Sequence, residues 1–144
     1  MTTQVYFPQT VFPVRVPARE YAELVAQIPE GALSTSKEIE QLLAHRHGAE
    51  RVEYDGALPR FYYPETGAVS VLPSEGTEAI PFYRVLSERG FVRETRSFSK
   101  ETAVEMLRVE GHVVVPCGKG YRVEGYKARL YDLRGAFEAD GVVE

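Results

Sequence analysis

The sequence predicts a single α+β domain with three or four helices and several short strands. Three observations predict it. The chain has 144 residues, 44% hydrophobic and 26% charged, the size and make-up of one globular unit. Apolar residues recur at helical spacing in three stretches, two of which open on a capping residue. Between them lie brief β-branched and aromatic runs bounded by Pro, Gly and polar turns.

Residues 1–17 carry Pro8, Pro13 and Pro17 among β-branched and aromatic residues. They read as an extended arm or an edge strand, because proline cannot donate to a sheet ladder. From Ala18 the period changes: Ala18, Tyr21, Leu24, Val25 and Ile28 form a helical stripe that Pro29-Glu30-Gly31 stops. Thr35-Ser36-Lys37-Glu38 is a capping box for a second helix, with Ile39, Leu42 and Leu43 as its apolar face and Gly48 as its stop. Arg51 to Tyr54 starts either a short helix or a strand. Arg60 to Tyr63 and Ala68 to Leu72 pair as a hairpin around Pro64-Glu65-Thr66-Gly67. Ser87 to Gly90 is a turn. Ser99 caps a helix carrying Ala103, Met106, Leu107 and Glu110, ended by Gly111. Val113 to Val115 is a strand, so short strands come from 60–72 and 113–123. Tyr126, Leu130 and Leu133 suggest a last short helix. The expected organisation is an arm over 1–17, a domain over 18–134 and a flexible tail over 135–144.

The charge balance is 17 Lys+Arg against 21 Asp+Glu, a formal −4. Non-specific affinity for nucleic acid comes mostly from neutralised phosphates, so an acidic domain binds DNA only through a local basic face. No apolar run reaches the ~18 residues of a membrane helix, and no membrane partner is expected. The start MTTQVYFPQTV lacks the basic and apolar regions of a secretory signal. With one cysteine no internal disulfide can form, which fits a reducing, cytoplasmic setting. His45, His47 and His112 show no metal spacing, and Gly118-Lys119-Gly120 lacks the setting of a phosphate loop. No metal and no cofactor are expected.

Three segments, in order, resemble the C-terminal domain of the O6-alkylguanine DNA alkyltransferases (the methylated-DNA–protein-cysteine methyltransferase family) and their alkyltransferase-like relatives. The first is Val25-Ala26-Gln27-Ile28-Pro29-Glu30-Gly31 with the capped helix from Thr35 to Leu43, similar to an "IP.G" helix end followed by the first helix of a helix-turn-helix. The second is Ile80-Pro81-Phe82-Tyr83-Arg84-Val85-Leu86 with Gly90, similar to the active-site segment "IPCHRVV" followed by glycine. The third is Met106-Leu107-Arg108-Val109-Glu110-Gly111-His112, similar to "LL..EG". The resemblance covers roughly residues 18–112, poorly at 49–79, and implies a winged helix-turn-helix-like core.

By that resemblance Phe82 stands where the nucleophilic cysteine would be, Tyr83 where the histidine would be and Glu110 where its orienting glutamate would be. Phe82 cannot accept an alkyl group, and tyrosine, with an ordinary pKa of ~10, is a poor base. The segment is therefore read as inactive for alkyl transfer, and Glu110 as a solvated helix-end carboxylate. What the resemblance leaves is DNA binding, with recognition of alkylated guanine in repair. The lesion pocket would be Phe82, Tyr83, Ser97 and Ser99, unless Phe82 packs into the core. DNA contacts would be Ser36, Lys37, Arg51, Arg84 and Arg89. The second helix of the helix-turn-helix would fall on Gly48 to Asp55, where Glu50, Glu53 and Asp55 crowd Arg51. Arg60, Arg84, Arg89, Arg93 and Arg96 would form a basic face or remain scattered.

Two alternatives stand beside this reading. A protein-interaction module that kept the fold and lost DNA would use the exposed stretch Arg60 to Tyr63. An enzyme would have to use Cys117, whose Val115-Pro116-Cys117-Gly118 setting lies downstream of Glu110; a buried structural cysteine is the simpler reading.

Overall fold

The structure, a computed structural model, describes residues 13–134. The expected arm up to residue 12 and the expected tail over 135–144 lie outside the described residues.

Strand β1 (Val14–Pro17) leads directly into helix α1 (Ala18–Ala26). It pairs in parallel with β3 (Val52–Asp55), Val14 opposite Val52 and Pro17 opposite Asp55. Val16 is fully buried, so the end of the segment read as an arm or edge strand is packed into the domain. A two-residue strand β2 (Ser34–Thr35) precedes helix α2 (Ser36–Arg46). Thr35 caps this helix as its sequence requires, its hydroxyl accepting from the Glu38 N–H at 3.2 Å. Glu20 on α1 meets Arg46 at 2.9 Å and the His47 ring at 3.0 Å, which ties the two helices together at the C-terminal end of α2.

Beyond α2 the chain departs from the resemblance. Where a second helix of a helix-turn-helix is implied, residues 52–55 form β3, and no α-helix lies between Arg46 and Lys100. Valine and tyrosine alternate with Glu53 and Asp55, and the half-buried and exposed residues alternate with them. That period of two belongs to a strand with one face on the core, and pairing with β1 satisfies its backbone. The strand alternative for this stretch is the one realised.

The hairpin β4 (Phe61–Tyr63) and β5 (Ala68–Ser70) is antiparallel, with β6 (Glu78–Ala79) on the other side of β4. The aromatic run on β4 is half-buried, and Tyr62 packs against the core, which corrects its reading as an exposed contact surface. A 3-10 helix, Phe82–Arg84, leads into β7 (Val85–Leu86), which pairs in parallel with β2. Helix α3 (Lys100–Val109) starts at Ser99, whose hydroxyl accepts from the Thr102 N–H. The antiparallel hairpin β8 (Val114–Cys117) and β9 (Gly120–Val123) follows, then a 3-10 helix Tyr126–Arg129.

The core has two halves, and the segment from Ile80 to Leu86 threads between them. Ile80, Phe82 and Val85 join the half built on α1 and α2, whereas Tyr83 and Leu86 join the half built on α3, β8 and β9. Successive residues of a 3-10 helix point ~120° apart, because the helix has ~3 residues per turn. Phe82 and Tyr83 therefore leave the backbone toward different halves.

Candidate functional site

The segments identified in the sequence converge on one carboxylate. Glu110, at the end of α3, accepts from Arg84 Nη2 at 2.7 Å and from Arg84 Nε at 3.1 and 3.2 Å. It also accepts from the Tyr83 hydroxyl and, at 3.1 Å, from the backbone N–H of Gly31. Arg84 in turn donates through Nη1 to the carbonyl of Ile28 at 2.7 Å. Residues from all three segments thus enter a single network. Gly31 has φ +85°, the left-handed conformation that glycine adopts at little cost, and that turn aims its N–H at Glu110.

Glu110 is not the solvated helix-end group expected: its side chain is 5% exposed and that of Arg84 is 14%. Burial pushes the Glu110 carboxyl up, but hydrogen bonds from Arg84, Tyr83 and the Gly31 N–H outweigh it and hold it below the usual carboxylate range. Burial and the bond to Glu110 push the Tyr83 phenol up to about 12. Tyr83 thus keeps its proton and donates a hydrogen bond, with no capacity to act as a base near neutral pH. Arg84, expected on DNA, has its guanidinium committed inside the fold instead.

Phe82 faces a different space. Its ring is 4% exposed and stacks on Tyr21 with centroids 6.3 Å apart. Tyr21 meets Tyr54 edge to face at 5.3 Å. These rings, with Leu58, Thr95, Glu40 and Arg93, line a cavity of about 160 Å³ bordered by α2 through Glu40. Arg93 donates to the Tyr21 hydroxyl at 3.3 Å. The Tyr54 hydroxyl is buried without a partner among the described residues, and burial raises its pKa above the ordinary tyrosine value. The cavity therefore combines three aromatic rings with an unused hydroxyl, a cation and a carboxylate.

The four residues assigned to a lesion pocket do not come together. Tyr83 points into the other half-core, edge-on to Phe98 at 5.0 Å. Ser97 has a buried, unpartnered hydroxyl and Ser99 caps α3; neither lines the Phe82 cavity. Of the assigned DNA contacts, Ser36 is half-buried in the first turn of α2, and Arg51 and Arg89 are exposed. Lys37 pairs with Glu88 at 3.1 Å.

Tyr21, Tyr54 and Glu40 were not singled out from the sequence as site residues. Tyr21 was visible only as one position of a core stripe. The usable signal is that two tyrosines occupy inward positions, where a hydroxyl needs a partner.

Cys117 is exposed, not buried as expected, because it ends β8 at the tight turn of the hairpin, opposite Gly120. His112 is buried, which holds its imidazole below the usual range. Among the described residues no group of three His, Cys, Asp or Glu is placed to hold a metal, and no helix is long and apolar enough to cross a membrane.

No family model matches the chain, and no curated protein sequence matches it. Among solved structures the chain is similar to S. pombe Atl1 in complex with damaged DNA containing O6-carboxymethylguanine. The two are 20% identical, with 78% of this chain and 92% of that chain covered and a TM-score of 0.48.

Proposed function

We propose that this chain is a non-enzymatic DNA-recognition domain of the alkyltransferase-like kind, which holds a base turned out of the helix. The observation that carries the reading is the convergence on Glu110. The three segments resembling the alkyltransferases share one network through Ile28, Gly31, Tyr83, Arg84 and Glu110, while Phe82 turns a ring toward an aromatic cavity.

The chemistry follows from that arrangement. A phenyl ring cannot take an alkyl group, so the domain binds and does not transfer. Turning a base out of a duplex costs a few kcal/mol, least for a damaged pair. Stacking on aromatic side chains returns about 1–3 kcal/mol per base. A cavity of about 160 Å³ is smaller than those that hold drug-sized ligands, which restricts its occupant to a single small planar group. Arg93 would donate to that group, and Glu40 and the Tyr54 hydroxyl would accept.

Fluorescence anisotropy at ~50 mM salt, with a plain duplex and one carrying O6-methylguanine, tests the reading. The expected result is salt-dependent binding, tighter for the modified duplex, with no covalent mass increase of the protein. Phe82→Ala should remove the preference for the modified duplex. A flat trace with both duplexes would overturn the reading.

A second reading, a protein-interaction module that lost DNA, is favoured by one observation. The stretch where a groove-entering helix is implied is strand β3, whose Glu53 and Asp55 are exposed, as is the preceding Glu50. A partner retained in a pulldown, with no DNA binding, would select it.

A further inference from the structure

Away from the Phe82 cavity, an open groove of about 570 Å³ runs between the Ser87–Gly90 turn, the β8–β9 hairpin and the 3-10 helix Tyr126–Arg129. The chain as a whole carries −4, yet this groove is lined by Arg89, Arg122 and Lys127 against a single carboxylate, Glu88. That carboxylate is engaged by Lys37 at 3.1 Å. Among the described residues, Arg89, Arg122 and Lys127 form no ion pair.

The central cation is held in place by the fold. Arg122 Nε donates to the carbonyl of Arg89 at 3.3 Å, and its guanidinium lies 5.9 Å from the centre of the Tyr126 ring. That ring is fixed by its own hydroxyl, which donates to the Glu88 carbonyl at 3.0 Å. It also lies against Gly90, where an added Cβ would come within 2.5 Å of ring carbons. The terminal nitrogens of Arg122 have no partner among the described residues. A pre-positioned guanidinium with free terminal nitrogens matches two oxygens of one phosphate.

We infer that this groove is a phosphodiester site, which grips the backbone of a DNA strand without reading its sequence. The inference takes DNA as partner from the reading above but makes no use of the aromatic cavity. A DNA strand offers a phosphate every ~3.4 Å along the axis, so several cations in one groove engage neighbouring phosphates together. Isolated carboxylates of a peptide lack that regular spacing.

The test uses the full chain and a plain, unmodified duplex. The double variant Arg122→Ala/Lys127→Ala should weaken binding at least tenfold at low salt and reduce the salt slope by about 2. Preference for O6-methylguanine over plain duplex should be unchanged. Cys117, the single cysteine, lines the same groove and reports its occupancy in the unaltered protein: saturating plain duplex should slow maleimide labelling several-fold. An unchanged salt slope in the double variant, or labelling that bound DNA does not slow, would overturn the inference while leaving the base-binding reading intact. Equal affinity for plain and modified duplex, with plain binding still lost in the double variant, would overturn the base-binding reading alone. Capture of poly-glutamate but not DNA would overturn the groove assignment in favour of an acidic protein partner.

Discussion

Arg84 and Glu110 form a two-pronged ion pair, closest at 2.7 Å, that joins the 3-10 helix of the central segment to the end of α3. Its partners beyond the pair are a backbone carbonyl, a backbone N–H and a phenol, so each component is satisfied only while the others are in place. Removing one member of a buried pair leaves an unpaired charge and costs about 3–5 kcal/mol. Glu110→Ala should therefore lower stability by roughly that amount, read from the urea midpoint. A loss below about 1 kcal/mol would mean that the pair is solvated.

The same carboxylate sets a pH dependence. In an unfolded chain a glutamate titrates near ~4.3, and in this fold Glu110 lies lower. Around that pH the unfolded state binds more protons, so folding stability rises with pH there. The contribution of Glu110 is complete above ~4.3 and is lost as pH falls through its folded value. Glu110→Gln should flatten that part of the stability profile relative to the unaltered chain. Glu20, also lowered against opposing burial by His47 and Arg46, leaves the remaining slope. Urea midpoints taken at several acidic pH values measure the difference.

A thiol placed at position 82 should not bring alkyl transfer. In Phe82→Cys the sulfur would lie beside Tyr21, while the neighbouring Tyr83, packed in the other half-core, donates a hydrogen bond to Glu110. Tyr83 and Glu110, bonded to each other, are not placed to take the proton from that sulfur and form the thiolate on which nucleophilicity depends. The variant should lose about 2–4 kcal/mol from the vacated ring volume and show no mass increase with a labelled benzylguanine. A stoichiometric mass increase would refute this account of the segment.

Gly90 should be irreplaceable for two separate reasons. Its φ is +87°, and a Cβ there would lie 2.5 Å from the Tyr126 ring. Gly90→Ala combines backbone strain with overpacking against a 7%-exposed ring and should cost about 2–4 kcal/mol. Thermal unfolding would show this as a lower midpoint. Tyr126→Leu in the same background should recover part of the loss.

Much of the fold was legible because its signals are local. Thr35 and Ser99 announce α2 and α3 by capping, and Pro64 to Gly67 announces the β4–β5 hairpin. The site was only half legible. That Phe82 cannot act as a nucleophile follows from residue type, but the burial of Glu110 depends on Arg84, 26 positions away, and on Gly31, 79 positions away. Neither distance leaves a periodic trace. The same holds for the cavity, where Tyr21, Tyr54 and Phe82 come from three separate elements. Cys117 runs against the usual preference of free cysteine for the interior, because the hairpin turn carries it outward.

The parallel pairing of β1 with β3 has a practical corollary for the boundaries of any shortened version. A fragment beginning at Ala18 would strip β3 of its partner and uncover the backbone between Val52 and Asp55. A bare ribbon edge of that kind invites a neighbouring molecule to dock in register. Such a fragment should self-associate as concentration rises, whereas one that retains Val14–Pro17 should stay monodisperse.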